Sequence, residues 1–298
     1  MALKSVFSSM KREGYVIKPL DYYLLTLNKE DNDRAINVNA PSQIGSCLRS
    51  RYYARIGAEA DPNTVDGRQR RIFDNGTGVH ERLQAYLKKQ GMLLADEIPV
   101  INTEYSIQGH TDGLLKLSSA EIGVLEIKSI NSKGFSSLKG AKENHKLQGI
   151  SYIYCLEERR KALHEKYKNM QAFLLDKKAR YKYYEQFYQH LKGGTKHSRD
   201  EKIKFQCDLH NQSDKILMQT NIPITKAVFL YENKDTQELK EYLITTKSEE
   251  GASYLDSILN ECALLNNYVD KKKAPPREGT NRSCTQCRWC NYKIECWN

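Results

Sequence analysis

The chain has 298 residues and carries 47 Lys and Arg against 37 Asp and Glu, a net charge of +10. That length accommodates one large domain or two modest ones with a substantial core, and the absence of a repeat of about 20–50 residues excludes a solenoid. The apolar stretches fall far short of the roughly 18 residues that a spanning helix needs, and residues 1–14 lack the apolar region and cleavage site of an export signal, so a soluble, cytoplasmic, non-membrane protein is expected.

The basic balance favours a polyanionic partner through counterion release. Eight cysteines without an export signal argue for metal ligation or buried thiols over a disulfide framework. Along the chain, residues 1–40 mix a short helical pattern with a charged loop, Asn28 to Arg34, and Pro41-Ser42 is expected to open a helix carrying Cys47. GTGVHERLQAYLKKQG reads as a helix with Val79, Leu83 and Tyr86 on one face, His80 near its start and Gly91 as its stop. IPVI, YSIQGHTDGLLKL and IGVLEIKSI are rich in β-branched residues and read as strands, after which KENHKLQGISYIYCLEERR returns to helix.

From about Glu157 the chain turns charged, helical and tyrosine-rich through RYKYYEQFYQHL to Gly193-Gly194. Between Glu157 and Lys204, fourteen Lys and Arg face seven Asp and Glu, so this segment carries +7 of the net +10. Two readings stand: a solvated helical hairpin, or a nucleic-acid surface in which Tyr181, Tyr183, Tyr184 and Tyr188 interleave stacking rings with Lys178, Arg180 and Lys182. KAVFLYENKDTQELKEYLITT reads as a β-hairpin around Asn233 to Thr236. The helix after it places Leu255, Ile258, Leu259, Cys262 and Leu265 on one stripe, which makes Cys262 a core thiol, and Lys271 to Pro276 link it to the final cysteines.

In a strand GVLEIKSI, side chains alternate, so Glu126 and Lys128 share one face while Leu125 and Ile127 share the other. Alone this is a common surface pair. Upstream, Asp112 follows a glycine-containing bend, and carboxylates on adjacent strands supply the oxygen ligands that Mg²⁺ or Mn²⁺ prefers. His80 adds a third ligand, with Gly76 and Gly78 before it. His110 shares a strand face with Asp112 by parity and is read as incidental or supporting. Gln148 and Tyr152, at i and i+4, share one helix face, and Gly149 between them asks for a small side chain, for which close passage of a DNA backbone is one reason.

Taken in order, Gly76-x3-His80, Gly109-x2-Asp112, Glu126-x-Lys128 and Gln148-x3-Tyr152 resemble the motifs of the PD-(D/E)XK nucleases of the RecB-like branch. The resemblance implies a restriction-endonuclease-like α/β (α+β) fold, a mixed β-sheet core flanked by helices. It divides the chain into an N-terminal arm (1–40), a nuclease core (41–156), a basic helical insertion (157–222), a hairpin and helix completing the core (223–273) and a cysteine segment (274–298). It further implies that His80, Asp112, Glu126 and the Ile127 carbonyl ligate Mg²⁺ or Mn²⁺, that Lys128 orients the attacking water, and that Gln148 and Tyr152 position DNA. Tyr181, Tyr184, Arg180 and Lys182 join them as expected DNA contacts on the nucleic-acid reading of the insertion. The implied activity is a DNA exonuclease on single strands or duplex ends, working with recombination, replication or CRISPR adaptation proteins. Competing readings are a non-catalytic DNA clamp on the same fold and a zinc-stabilised adaptor.

The tail spaces its cysteines as Cys284-x2-Cys287-x2-Cys290-x5-Cys296, and with Cys47 this offers five candidate ligands. Successive x2 spacings look more like iron-sulfur ligation than a zinc ribbon, which needs two separated C-x2-C knuckles. The iron-sulfur members of the family, among them CRISPR-associated adaptation nucleases and AddB-type nuclease domains, pair one early cysteine with a late C-x2-C-x5-C. The match implies a 4Fe-4S cluster on Cys47, Cys287, Cys290 and Cys296 that joins the two ends of the chain, with Cys284 left over. A Zn²⁺ site using Cys284 and three neighbours is the alternative.

Overall fold

The computed structural model describes residues 15–27, 35–61, 66–193 and 198–298. The loop expected at Asn28 to Arg34, the segment 1–14 and Gly194 lie outside the described residues. The expected strands form β1 (Leu93–Asn102), β2 (Ile107–Lys116) and β3 (Ile122–Ile130), and the expected hairpin forms β4 (Ile224–Asn233) and β5 (Leu239–Thr245). They make one five-stranded mixed sheet in the order β1-β2-β3-β4-β5. Strands β3 and β4 pair in parallel, and the other neighbouring strands run antiparallel. A parallel neighbour demands a crossover, and here that crossover contains every helix between residues 131 and 223.

Helices cover both faces of the sheet. Helix α3 (Gly67–Lys89), which follows α1 (Ile17–Leu27) and α2 (Leu48–Arg55), lays Val79 and Leu83 against Leu115, Leu125, Ile127 and Val228. After the short α4 (Ser132–Ser136), helix α5 (Glu143–Lys166) lays Leu147, Ile150 and Ile153 against Leu114, Ile122, Val124 and Phe229. The period-2 alternation of β3 therefore divides its residues between two helical layers, so the strand is apolar on both faces. Glu126 is the exception.

Helix α3 begins earlier than its pattern implies, at a capping box in which Asp66 accepts from the Gln69 N–H and the Gln69 side chain accepts from the Asp66 N–H. Tyr86 is corrected to an exposed position. Leu87 takes the inward place after Val79 and Leu83, at the i, i+4, i+8 spacing of one stripe. Pro41 opens only a single 3-10 turn, Pro41–Gln43, and Cys47 is the N-cap of α2 rather than a residue within it. The break lies at Gly45, whose φ of +80° and whose contact with Leu147 exclude a side chain.

Helix α5 runs through residue 157 without interruption and is followed by α6 (Met170–Leu175), α7 (Lys177–Glu185) and α8 (Arg199–Gln219). These pack at the β1 edge, with a separate small core of Tyr184, Tyr188, Leu191, Ile203 and Cys207. Helix α9 (Glu249–Asp270) buries Ile258, Cys262 and Leu265, and α10 (Lys293–Trp297) closes the chain. Among the described residues, no helix is long and apolar enough to cross a membrane.

Candidate active site

Strands β2 and β3 pair from Lys116 and Ile122 as far as Gly113 and Leu125, and then the ladder stops. Past that point side chains replace it. Thr111 Oγ1 donates to the Leu125 carbonyl at 2.8 Å, and the Ile127 N–H, left without a strand partner, donates to Asp112 Oδ2 at 2.5 Å. A buried N–H needs an acceptor, so the parting of the strands itself fixes the Asp112 carboxylate. Its other oxygen, Oδ1, faces His80 Nδ1 at 3.1 Å. Gln84, one turn after His80 on α3, donates to the Asp112 carbonyl at 2.8 Å and to Glu97 at 3.0 Å.

On the other side of the gap, Glu126 is 2 % exposed. Its Oε1 accepts from Lys128 Nζ at 2.5 Å, and the same ammonium donates to Gln148 Oε1 at 3.2 Å. Gln148 Nε2 in turn donates to the Tyr152 hydroxyl at 3.1 Å. The i, i+4 pair on α5 therefore reaches the strand pair, as a face shared by those residues allows. Gln148 and Tyr152 are both buried, and the hydrogen bonds that the resemblance assigns to DNA go instead to Lys128 and to each other.

The electrostatics match this crowding. Burial pushes the Glu126 carboxyl up, the Asp112 charge adds to the rise, and Lys128 only partly opposes it, leaving a pKa of about 7. At His80, burial pulls the imidazole down, but the hydrogen bond and charge of Asp112 and the charge of Glu126 outweigh it, so the pKa ends above 6.5.

Among the described residues, no group of three or more His, Cys, Asp or Glu side chains is drawn together into a site that could hold a metal ion. Lys128 occupies one Glu126 oxygen, and Ile127 occupies one Asp112 oxygen. Yet Glu126 Oε2 is buried with no hydrogen-bond partner among the described residues. A carboxylate oxygen held in that state costs several kcal/mol unless a cation meets it. Asp112 and His80 lie near enough to act on Glu126 through their charges, and carboxylate oxygens are the donors that a hard divalent cation prefers, although the three side chains do not close on one point as they stand.

The structure separates the remaining expected residues. His110 Nε2 lies 3.2 Å from Gln206 Oε1 on α8, away from the carboxylates. Tyr184 and Arg180 are corrected to interior residues. Tyr184 donates to Asp214 at 2.8 Å and stacks on His210 with centroids 3.9 Å apart, while Arg180 lies over the Phe173 ring at 3.6 Å. Neither presents a free face to DNA. Tyr181 and Lys182 line an open groove with Leu175, Lys177 and Lys178. Gly149 owes its size to packing, since a Cβ there would stand 2.7 Å from Phe229 Cζ.

Cys47, Cys287, Cys290 and Cys296 line one cavity together with Ser50, Gly279 and Trp297. Cys290 Sγ approaches Ser50 Oγ at 3.6 Å, and the Leu48 N–H donates to Glu278 at 2.6 Å, so the start of α2 and the tail are joined. All eight cysteines are free thiols. Gly279 has no room for a side chain, because a Cβ would strike Cys287 Sγ and meet Cys284 Sγ at 3.1 Å. Cys284 therefore lies against Gly279 and is not among the residues lining the cavity. Four thiols thus share one hollow, but as they stand they are not drawn together into a group that could hold a metal ion.

Two residues near the site escape the motif reading. Gln84 follows His80 by four positions and His145 precedes Gln148 by three, and helical spacing from a known site residue is the signal that would find them.

No protein-family model and no curated protein matches the chain. Among solved structures, the chain is similar to the protein SSO0001, with 14 % identity, a TM-score of 0.45 and coverage of 96 % of this chain and 98 % of that one. It is also similar to the alkaline exonuclease LHK-Exo from Laribacter hongkongensis, with 11 % identity, a TM-score of 0.38 and coverage of 84 % and 97 %.

Proposed function

We propose that this chain is a divalent-metal-dependent DNA nuclease, acting as an exonuclease on single-stranded DNA or duplex ends. The observation that carries this is Glu126: a buried carboxylate with one orphaned oxygen, set beside Asp112 and His80 and bound on its other oxygen by Lys128. His80, Asp112, Glu126 and the Ile127 carbonyl would hold one or two Mg²⁺ or Mn²⁺ ions. Such an ion, when bound, supplies a water of lowered pKa and offsets negative charge on the phosphate.

The chain's own residues do the rest. Asp112 is held in place by the Ile127 N–H, leaving Oδ1 directed to the site. Lys128, bridged between Glu126 and Gln148, carries the ammonium that orients the attacking water and meets the phosphate. Gln148 is anchored by Tyr152, so the ammonium is held from below by buried groups that cannot swing away. The net charge of +10 favours the polyanionic substrate. Cys47, Cys287, Cys290 and Cys296 would hold a 4Fe-4S cluster that ties α2 to the tail, a structural role.

The test is degradation of end-labelled single-stranded DNA with Mg²⁺ or Mn²⁺. Asp112→Ala and Lys128→Ala are each expected to abolish it, and cleavage that survives both changes overturns the assignment.

A further inference from the structure

Tyr231 is fully buried on β4, where it is the register partner of Lys128 and so shares its face of the sheet. His145, in the first turn of α5, lies over that face, its ring 5.6 Å from the Tyr231 ring at an interplanar angle of 28°. His145 Nδ1 is 2.6 Å from the Tyr231 hydroxyl, and the Lys142 backbone N–H donates to the same hydroxyl at 3.1 Å.

These contacts determine the tautomer. The buried hydroxyl accepts from Lys142, and its own proton has one acceptor within reach, which is His145 Nδ1. Were Nδ1 protonated, the Tyr231 hydroxyl would keep an unpaired buried proton, at about 1–3 kcal/mol. Nδ1 is therefore the acceptor and Nε2 carries the hydrogen. Nε2 has no hydrogen-bond partner among the described residues, and His145 is only half-buried.

The surroundings keep this imidazole uncharged. Burial first, and then the positive charges of Lys128 and Lys142, hold its pKa down at about 4. The charge of Glu126 reaches the Tyr231 hydroxyl, so the pair belongs to the neighbourhood of the catalytic strand. A further cation beside two lysines would be repelled, whereas a neutral N–H adds a phosphate contact without that penalty.

We propose that His145 is a substrate-contacting residue whose Nε2–H, oriented by the Tyr231 hydroxyl, donates to a non-bridging phosphate oxygen of the DNA strand beside Lys128. This rests on the nuclease reading. Tyr231 is then a positioning residue, acting through the imidazole.

The test measures kcat and KM for Mn²⁺-dependent cleavage of labelled single-stranded DNA by the full chain and its variants, together with ¹⁵N shifts of the His145 ring. His145→Ala is expected to lower kcat about 10²-fold, the scale of losing one fixed donor to developing charge. His145→Gln, whose amide places an N–H near the Nε2 position, restores most of that loss, while His145→Asn does not. Tyr231→Phe mixes the two tautomers in the spectrum and lowers kcat in proportion. In the wild type the spectrum shows Nε2–H alone, and finding Nδ1–H overturns the proposal even if a variant fails to fold. Cleavage by His145→Ala at the wild-type rate also overturns it and leaves the nuclease reading standing. A wild-type chain that cleaves nothing overturns the nuclease reading, and this inference with it.

Discussion

Replacing Glu126 with Gln should stabilise the metal-free protein while abolishing its activity, and the gain should depend on pH. The carboxyl titrates at about 7 instead of its ordinary 4.5, because burial and the nearby Asp112 charge disfavour ionisation more than Lys128 favours it. At 1.36 kcal/mol per pKa unit, ionised Glu126 costs the folded state about 3 kcal/mol. A carboxyl whose pKa is raised by folding binds its proton more tightly in the native state. Near pH 4.5 and below, native and unfolded chains both hold that proton and no penalty arises. As the pH climbs from 4.5 to 7 the unfolded chain ionises first, so native stability falls, and above 7 the penalty is constant. Urea unfolding in the presence of a chelator should therefore show Glu126→Gln close to wild type at pH 4.5 and about 3 kcal/mol more stable at pH 8. Mn²⁺ should stabilise the wild type at pH 8 by mass action and leave the variant unmoved. Equal differences at both pH values, or a variant less stable than wild type at pH 8, would mean that Glu126 carries no such penalty in the folded state.

Gly149→Ala should destabilise the fold by about 1–3 kcal/mol through overpacking against Phe229 and Ala227, despite the roughly 1 kcal/mol that alanine contributes to helix propensity. Chemical denaturation decides this, and a neutral or stabilising effect would mean that the Phe229 ring yields freely. Cys47→Ser should release iron and visible absorbance from anaerobically purified protein, whereas Cys284→Ser should retain both. Iron analysis that finds the reverse assigns the ligands wrongly.

The strand that carries Glu126 and Lys128 is legible because its signals are local. A period of two puts Glu126 and Lys128 on one face of GVLEIKSI whatever the rest of the chain does, and the interruption of an apolar run by a charged pair marks the position. The i, i+4 spacing of Gln148 and Tyr152 is equally local. What sequence could not show is which way those residues face. Gln148 and Tyr152 turn inward because Lys128 needs a second acceptor, and that is a relation across 20 residues.

The basic, aromatic run at 178–188 reads the same whether its rings meet water or core. Asp214 and His210, some 30 residues onward on α8, make Tyr184 and Arg180 interior, with Arg159 adding a bidentate pair to Asp214 at 2.9 and 2.7 Å. Likewise Gly149 invites a ligand explanation until Phe229 is seen opposite. Tyr86 falls near the apolar stripe of α3 by spacing, yet Leu87 satisfies the sheet and leaves the tyrosine outside. The His145–Tyr231 pair joins positions 86 apart, so no motif window contains it.

On the proposed function, His80, Asp112 and Glu126 form a cation site that serves phosphodiester hydrolysis. Crystals grown with Mn²⁺ test it most directly, by anomalous scattering at the manganese edge. A peak is expected among His80, Asp112 Oδ1 and Glu126 Oε2, with Lys128 still on Glu126 Oε1, and no such peak in Asp112→Asn crystals. Manganese bound elsewhere, with Glu126 Oε2 still unpartnered in a protein that cleaves DNA, would contradict it.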